Sequence, residues 1–144
     1  MDPSDDPYDL GRFVAAQDDE GTYSRALDEL RRGRKTTHWM WFVFPQLAGL
    51  GRSPTAVRFG ITSLPEARAY LAHPVLGARL RECASVLAQS PAGSAEEILG
   101  PVDALKLRSS MTLFMRADPG EKAFAAVLDK FFGGSPDPLT DRLL

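Results

Sequence analysis

Three stretches of this sequence carry side chains that do chemistry in other settings. The first is Gly49-Leu-Gly-Arg-Ser53 followed by Pro54. Two glycines free the backbone, Ser53 is a good N-cap and Pro54 suits the first position of a helix, so N–H groups and the helix dipole can point at an anion. Arg52 adds a guanidinium able to grip phosphate or carboxylate with two hydrogen bonds. The same residues also make an ordinary turn into a capped helix, and they fall short of the Gly-x-Gly-x-x-Gly fingerprint. The second stretch is Lys106, Ser109 and Ser110, an ammonium and two hydroxyls on one helical face, suited to a phosphate or to a lysine-activated serine nucleophile. Its plain alternative is a pair of small residues that let helices pack closely, with Arg108 facing elsewhere to meet a carboxylate. The third is His38, set between Arg31-Arg-Gly-Arg-Lys35 and an aromatic run, where an imidazole can serve as general acid or base or simply pack against a backbone group. Trp39 and Trp41 can stack on a ring or fill the core. Gln17 and Gln46 are amides beside apolar runs, able to read a ligand edge or to satisfy buried backbone.

These groups need elements to hold them, and the apolar spacing is helical. Leu10, Phe13 and Val14 form a stripe that includes Gln17, and Tyr23, Ala26, Leu27 and Leu30 form a second that stops at Gly33. Trp39 to Phe44 is apolar all round and so buried; it reads as a short helix capped by Thr36 or Thr37 and ended by Pro45. Alternation at Val57, Phe59 and Ile61 allows a small two-stranded ribbon with Trp41 to Phe44 instead. Ser63-Leu-Pro-Glu66, Ser94-Ala-Glu-Glu97 and Asp118-Pro-Gly-Glu121 are capping boxes, and Asp137-Pro138 opens a last turn or two. Leu76, Leu80, Cys83, Ala84 and Leu87 mark one buried face; Ala104, Leu107, Met111 and Phe114 mark another. The expected architecture is all-α, a compact bundle of about seven or eight short helices around the buried aromatic segment. Residues 1–7 read as a loose acidic lead-in and 8–144 as a single globular domain.

Composition narrows the function. In 144 residues the formal net charge is -2, which disfavours coating of nucleic acid, a mode that needs a dense cationic surface. No apolar run approaches membrane-spanning length, no signal-peptide layout is evident, and a single cysteine fits a reducing, cytoplasmic setting. His38, His73 and the carboxylates show no metal-ligand spacing, and no motif asks for a cofactor.

The segments His38-Trp-Met-Trp-Phe-Val-Phe-Pro-Gln46, Gly49-Leu-Gly51 and Leu105-Lys-Leu-Arg-Ser-Ser-Met-Thr-Leu-Phe114 resemble the hallmarks of the bacterial family catalogued as domain of unknown function 1810. The resemblance spans nearly the whole chain and implies a compact, mostly helical domain; it brings no activity with it. The residues themselves suggest binding of a small anion such as a nucleotide, phosphosugar or ADP-ribose-like molecule, through Gln17, His38, Trp41, Gln46, Gly49, Gly51, Arg52, Ser53, Lys106, Ser109 and Ser110. Two alternatives stand beside it: a hydrolase or transferase acting on such a ligand with His38, Lys106, Ser109 or Ser110, and a protein-interaction module without small-molecule chemistry.

Overall fold

Side-chain caps set most of the helix starts. The computed structural model describes residues 5–144, and residues 1–4 of the expected lead-in lie outside that range. Its next residues include a cap: Asp6 accepts the backbone N–H groups of Leu10 (2.7 Å) and Gly11 (2.9 Å), opening α1 (Gly11–Asp18). A 3-10 turn leads into α2 (Thr22–Arg32), which ends at Gly33 in the left-handed region, as expected. The hydroxyls of Ser53, Ser63 and Ser94 and the carboxylate of Asp137 each accept the N–H three residues on. They open α4 (Pro54–Arg58), α5 (Leu64–Ala72), α7 (Ala95–Leu99) and α10 (Pro138–Leu143). Between them lie α3 (Met40–Val43), α6 (Leu76–Ala88), α8 (Pro101–Ala117) and α9 (Lys122–Phe132).

Among the described residues there are thus ten α-helical segments, more than the expected seven or eight, because α3, α4 and α7 are little over one turn each. Two details of capping differ from expectation. Because α8 runs on to Ala117, Asp118 is its C-cap and the side chain of Glu121, not Asp118, caps α9 at Ala123 N–H. Thr36 and Thr37 do not cap α3; they donate to Glu29, and the residue before the helix is Trp39. The ribbon reduces to one parallel bridge, Leu47 with Ile61, where Ile61 N–H donates to Gln46 O (2.9 Å) and Ala48 N–H to Ile61 O (2.7 Å). Pairing therefore begins after Pro45, beyond the aromatic run.

The longest helix, α8, packs against α5, α7, α9 and α10, while α6 packs against α2, α5 and α9. Through the core between them runs a chain of aromatic contacts, Phe42–Phe59–Phe13–Tyr70–Phe114–Phe124, with ring centroids 5.2 to 5.9 Å apart in tilted or edge-on pairs. The aromatic segment splits: Trp39, Met40, Val43 and Phe44 are buried, whereas Trp41 and Phe42 are half-buried. Among the described residues no helix is long and apolar enough to cross a membrane.

Candidate functional site

Helix α8 presents two apolar stripes, and only one of them is used by the core. Ala104, Leu107, Met111 and Phe114 are buried. Val102, Leu105, Lys106 and Ser109 stand at i, i+3, i+4 and i+7 on a different face, and they form one wall of an open cleft of about 480 Å³. The opposite wall is the loop Gln46 to Ser53 with Ala56 of α4; Trp41 rises from α3, and Asp137 and Leu139 close the end beside α10. Gly51 is required here, since a Cβ would lie 2.6 Å from the Cβ of Ala56. Gly49 takes φ +98° and turns the loop without lining the cleft.

The charges in the cleft are mostly positive. Arg52 is exposed and, among the described residues, has no carboxylate partner and makes no side-chain hydrogen bond. Lys106 Nζ lies 4.8 Å above the ring of Trp41 and 3.3 Å from Asp103 Oδ1, but Asp103 also faces Lys35 Nζ at 3.0 Å. One carboxylate shared by two ammonium groups leaves a surplus cation. Arg108, contrary to expectation, reaches round to the cleft and pairs with no carboxylate. It donates to the carbonyls of Ser135 (2.9 Å) and Pro136 (2.9 Å), because the chain before α10 passes directly over it. The one acid of the lining, Asp137, has Oδ2 in contact with Ser109 Oγ (2.9 Å), Thr140 N–H (3.2 Å) and Thr140 Oγ1 (2.6 Å). Burial pushes its pKa upward, yet these donors outweigh that and hold the carboxyl below its ordinary value.

The start of α4 offers an anion little. Helix α4 has only five residues, Pro54 carries no N–H, and the N–H of Ala56 is taken by Ser53 Oγ at 3.1 Å. Attraction for an anion rests on side-chain cations instead. The nucleophile idea also loses its geometry, since the single proton of Ser109 lies between Leu105 O (3.2 Å) and the closer, charged Asp137.

Trp41, Gln46, Gly51, Arg52, Ser53, Lys106 and Ser109 are therefore brought together, and four other candidates, Gly49 among them, are not. Gln17 is buried with its amide fully engaged: Nε2 donates to Phe42 O (2.7 Å) and Tyr70 Oη (3.3 Å), while Oε1 accepts from Arg79 (3.1 Å). It ties α1 to α3, α5 and α6. His38 points to solvent, opposite the buried Trp39 beside it, over a separate hollow lined by Asp18, Asp19, Thr22 and Arg58. Ser110 lies one residue round from Ser109, across the boundary into the core. Its Oγ is the one buried side-chain polar atom without a hydrogen-bond partner among the described residues. Ser110→Ala should therefore raise the urea midpoint, gaining roughly 1 kcal/mol by removing a desolvated, unsatisfied hydroxyl. A lowered midpoint would show that the hydroxyl has a partner.

Sequence reasoning passed over Leu50, Val102, Leu105, Arg108, Asp137 and Leu139. For Val102 and Leu105 the signal was present, as a second apolar stripe on α8 with no role in the first. Cys83 is buried, and desolvation pushes its thiol up to about 12, so it is inert as a nucleophile. Among the described residues no group of three or more His, Cys, Asp and Glu side chains could hold a metal ion.

The family model for a protein of unknown function, DUF1810, matches residues 7–144. The chain belongs to the DUF1810 family. A solved structure described as the conserved hypothetical protein Rv1873 from Mycobacterium tuberculosis is similar to it at 57% sequence identity, with a TM-score of 0.93 over 96% of this chain and 98% of that one. No curated protein matches. The three DUF1810 segments of the sequence map onto the cleft: Trp41 and Gln46 come from the first, Gly51 follows at the end of the second, and Leu105, Lys106, Arg108 and Ser109 come from the third.

Proposed function

We propose that this DUF1810 protein binds a small organic anion in the cleft between the Gln46–Ser53 loop, α8 and the start of α10. The carrying observation is the convergence of Arg52 and Lys106, brought together from distant parts of the chain, on one concavity of about 480 Å³. That size suits a small ligand. Arg52, Lys106, Arg108 and one acid line it, the acid is occupied by Ser109 and Thr140, and Asp103 at the edge is shared between Lys35 and Lys106, so it does not cancel the positive charge of the lining. An anion entering there meets Arg52 without first breaking an ion pair.

A thermal-shift panel tests the reading, with inorganic phosphate, nucleotides, phosphosugars, ADP-ribose derivatives and alkyl and aryl phosphates on the wild type, Arg52→Ala and Lys106→Ala. At a hundredfold excess over Kd a true ligand stabilises the native state by about 2.7 kcal/mol and raises Tm by several degrees. Each variant should weaken that ligand at least tenfold while keeping its own unliganded Tm near that of the wild type. A panel with no shift, or shifts untouched by both substitutions, rules the reading out.

A further inference from the structure

We infer that the ligand of this cleft is an amphiphile, an organic anion with an alkyl or aryl portion, and not a polyhydroxylated phosphosugar or nucleotide. The inference rests on the anion-binding reading above and narrows its substrate class.

Two independent features of the lining point this way. The first is where the exposed apolar side chains are. Val102 and Leu105 are each 65% exposed and Leu139 is 54% exposed, placing them among the most exposed large hydrophobic residues of the described chain. All three line the one cleft that also holds Arg52 and Lys106, together with the half-buried Leu50. Exposed leucines scattered singly over a surface are ordinary; apolar side chains gathered around a concavity beside cations are not. None of the three belongs to the buried core. The packing of α10 on α8 is instead fastened by polar groups: Ser109 and Thr140 on Asp137, Thr112 Oγ1 accepting Asp137 N–H at 2.8 Å, Arg108 on two carbonyls, and Arg116 in a paired contact with Asp141 at 3.0 Å.

The second feature is the scarcity of free hydrogen-bond acceptors. Ser53 Oγ accepts the N–H of Ala56, Ser109 Oγ and Asp137 Oδ2 engage each other, and Arg108 gives Nε and Nη2 to Ser135 and Pro136. What remains for a ligand is mostly donors near the cationic end, the guanidinium of Arg52, the ammonium of Lys106, Nη1 of Arg108, the indole N–H of Trp41 and the side-chain amide of Gln46, a set that suits an anionic head. The hydroxyls of a sugar laid along Leu50, Val102, Leu105 and Leu139 would lose water there without gaining partners, a penalty that recurs with each unpaired group. An alkyl chain or ring laid on Leu50, Val102, Leu105 and Leu139 loses nothing polar and covers surface that water now touches. Lys106 already stands over one face of Trp41, so the apolar part of the ligand runs along α8 and not onto that ring face.

The test is calorimetric titration with inorganic phosphate, ribose 5-phosphate, phenyl phosphate and the butyl, hexyl and octyl monophosphates, each kept below its micelle threshold. For the alkyl series affinity should rise about threefold per added methylene until the cleft is filled, and hexyl phosphate should bind at least tenfold tighter than ribose 5-phosphate. Leu105→Ser and Leu139→Ser, at positions exposed enough to leave the fold intact, should flatten the chain-length dependence and leave inorganic phosphate unchanged. Arg52→Ala should weaken every member. Binding of inorganic phosphate or ribose 5-phosphate with no gain from the alkyl chain, or a chain-length slope unaffected by both leucine variants, overturns this inference while anion binding stands. No binding by any of the probes overturns both.

Discussion

Glu29→Gln should lower the melting temperature at neutral pH by roughly 10 °C, the equivalent of about 3 kcal/mol. Glu29 is wholly buried near the end of α2. Its carboxylate takes the N–H of Thr36 at 2.7 Å, the N–H of Thr37 at 3.0 Å, the Thr37 hydroxyl, and the indole N–H of Trp39 at 3.0 Å. One side chain thereby folds the whole α2–α3 connection back on itself and fixes the largest buried ring. The three N–H groups all meet Oε1, and a glutamine replaces that charged oxygen with a neutral one that holds three donors far less strongly, while its NH2 reverses the bond with the Thr37 hydroxyl.

The same carboxylate ties stability to acid. Burial acts to raise its pKa, but the four donors prevail and bring it from an ordinary 4.5 to about 2. Because the native state holds the lower value, the unfolded chain takes up the proton first as pH falls. The contribution is complete above about pH 4.5, shrinks on the way down, and is gone below about pH 2, amounting to about 3 kcal/mol in all. Urea midpoints at pH 7 and pH 3 check this: the wild type should lose much more than Glu29→Gln between the two. Parallel acid dependence in the two proteins would mean that Glu29 is not the group responsible.

Gly77→Ala should cost at least about 3 kcal/mol, against the usual rule that alanine improves a helix by up to about 1 kcal/mol. The reason is where α6 starts. A Cβ on Gly77 would sit 2.1 Å from the carbonyl oxygen of Leu71, 2.9 Å from its carbon and 2.8 Å from Arg81 Nη1. Main-chain atoms near the end of α5 cannot swing aside as a side chain would, and Arg81 is itself held there by a 3.2 Å bond to Leu71 O. The outcome is a forced separation of α5 from α6 and a lower urea midpoint. Gly120→Ala is the control, because its Cβ would meet nothing nearer than 3.5 Å, at the end of the Asp118 side chain. Equal effects at the two positions would show that the close approach at Gly77 is relieved easily.

Local rules read the helix boundaries well because caps are local: Ser53, Ser63, Ser94 and Asp137 each bond a group three residues away. The stop at Gly33 follows from one residue's freedom at positive φ. Part of the cleft was legible for a similar reason. A glycine loop with Arg52 and a helix face with Lys106 and Ser109 are short-range patterns, even though their meeting is long-range. What failed were decisions made by one step of rotation or by distant partners. Ser109 and Ser110 share a sequence pattern but fall on opposite sides of the boundary between cleft and core, and His38 faces outward because Trp39 goes in. Glu29 carries no mark in sequence, since its donors lie seven to ten residues ahead. Arg12 is similar: it lashes α1 to the end of α4, the loop after it and α5 through Arg58 O, Gly60 O and Glu66.

The polar clasp on α10 has a consequence for energetics. Only Thr140 of that helix is buried, so lifting it exposes little new apolar surface and breaks a handful of hydrogen bonds. Helix α10 is then the kind of segment that opens as a small unit of its own, at a free energy well below that of the whole fold. Since Leu139 belongs to the cleft, a local opening of α10 would carry that part of the wall away. A molecule that touches Leu139 draws on that equilibrium, and its apparent affinity includes the free energy of keeping the last helix in place.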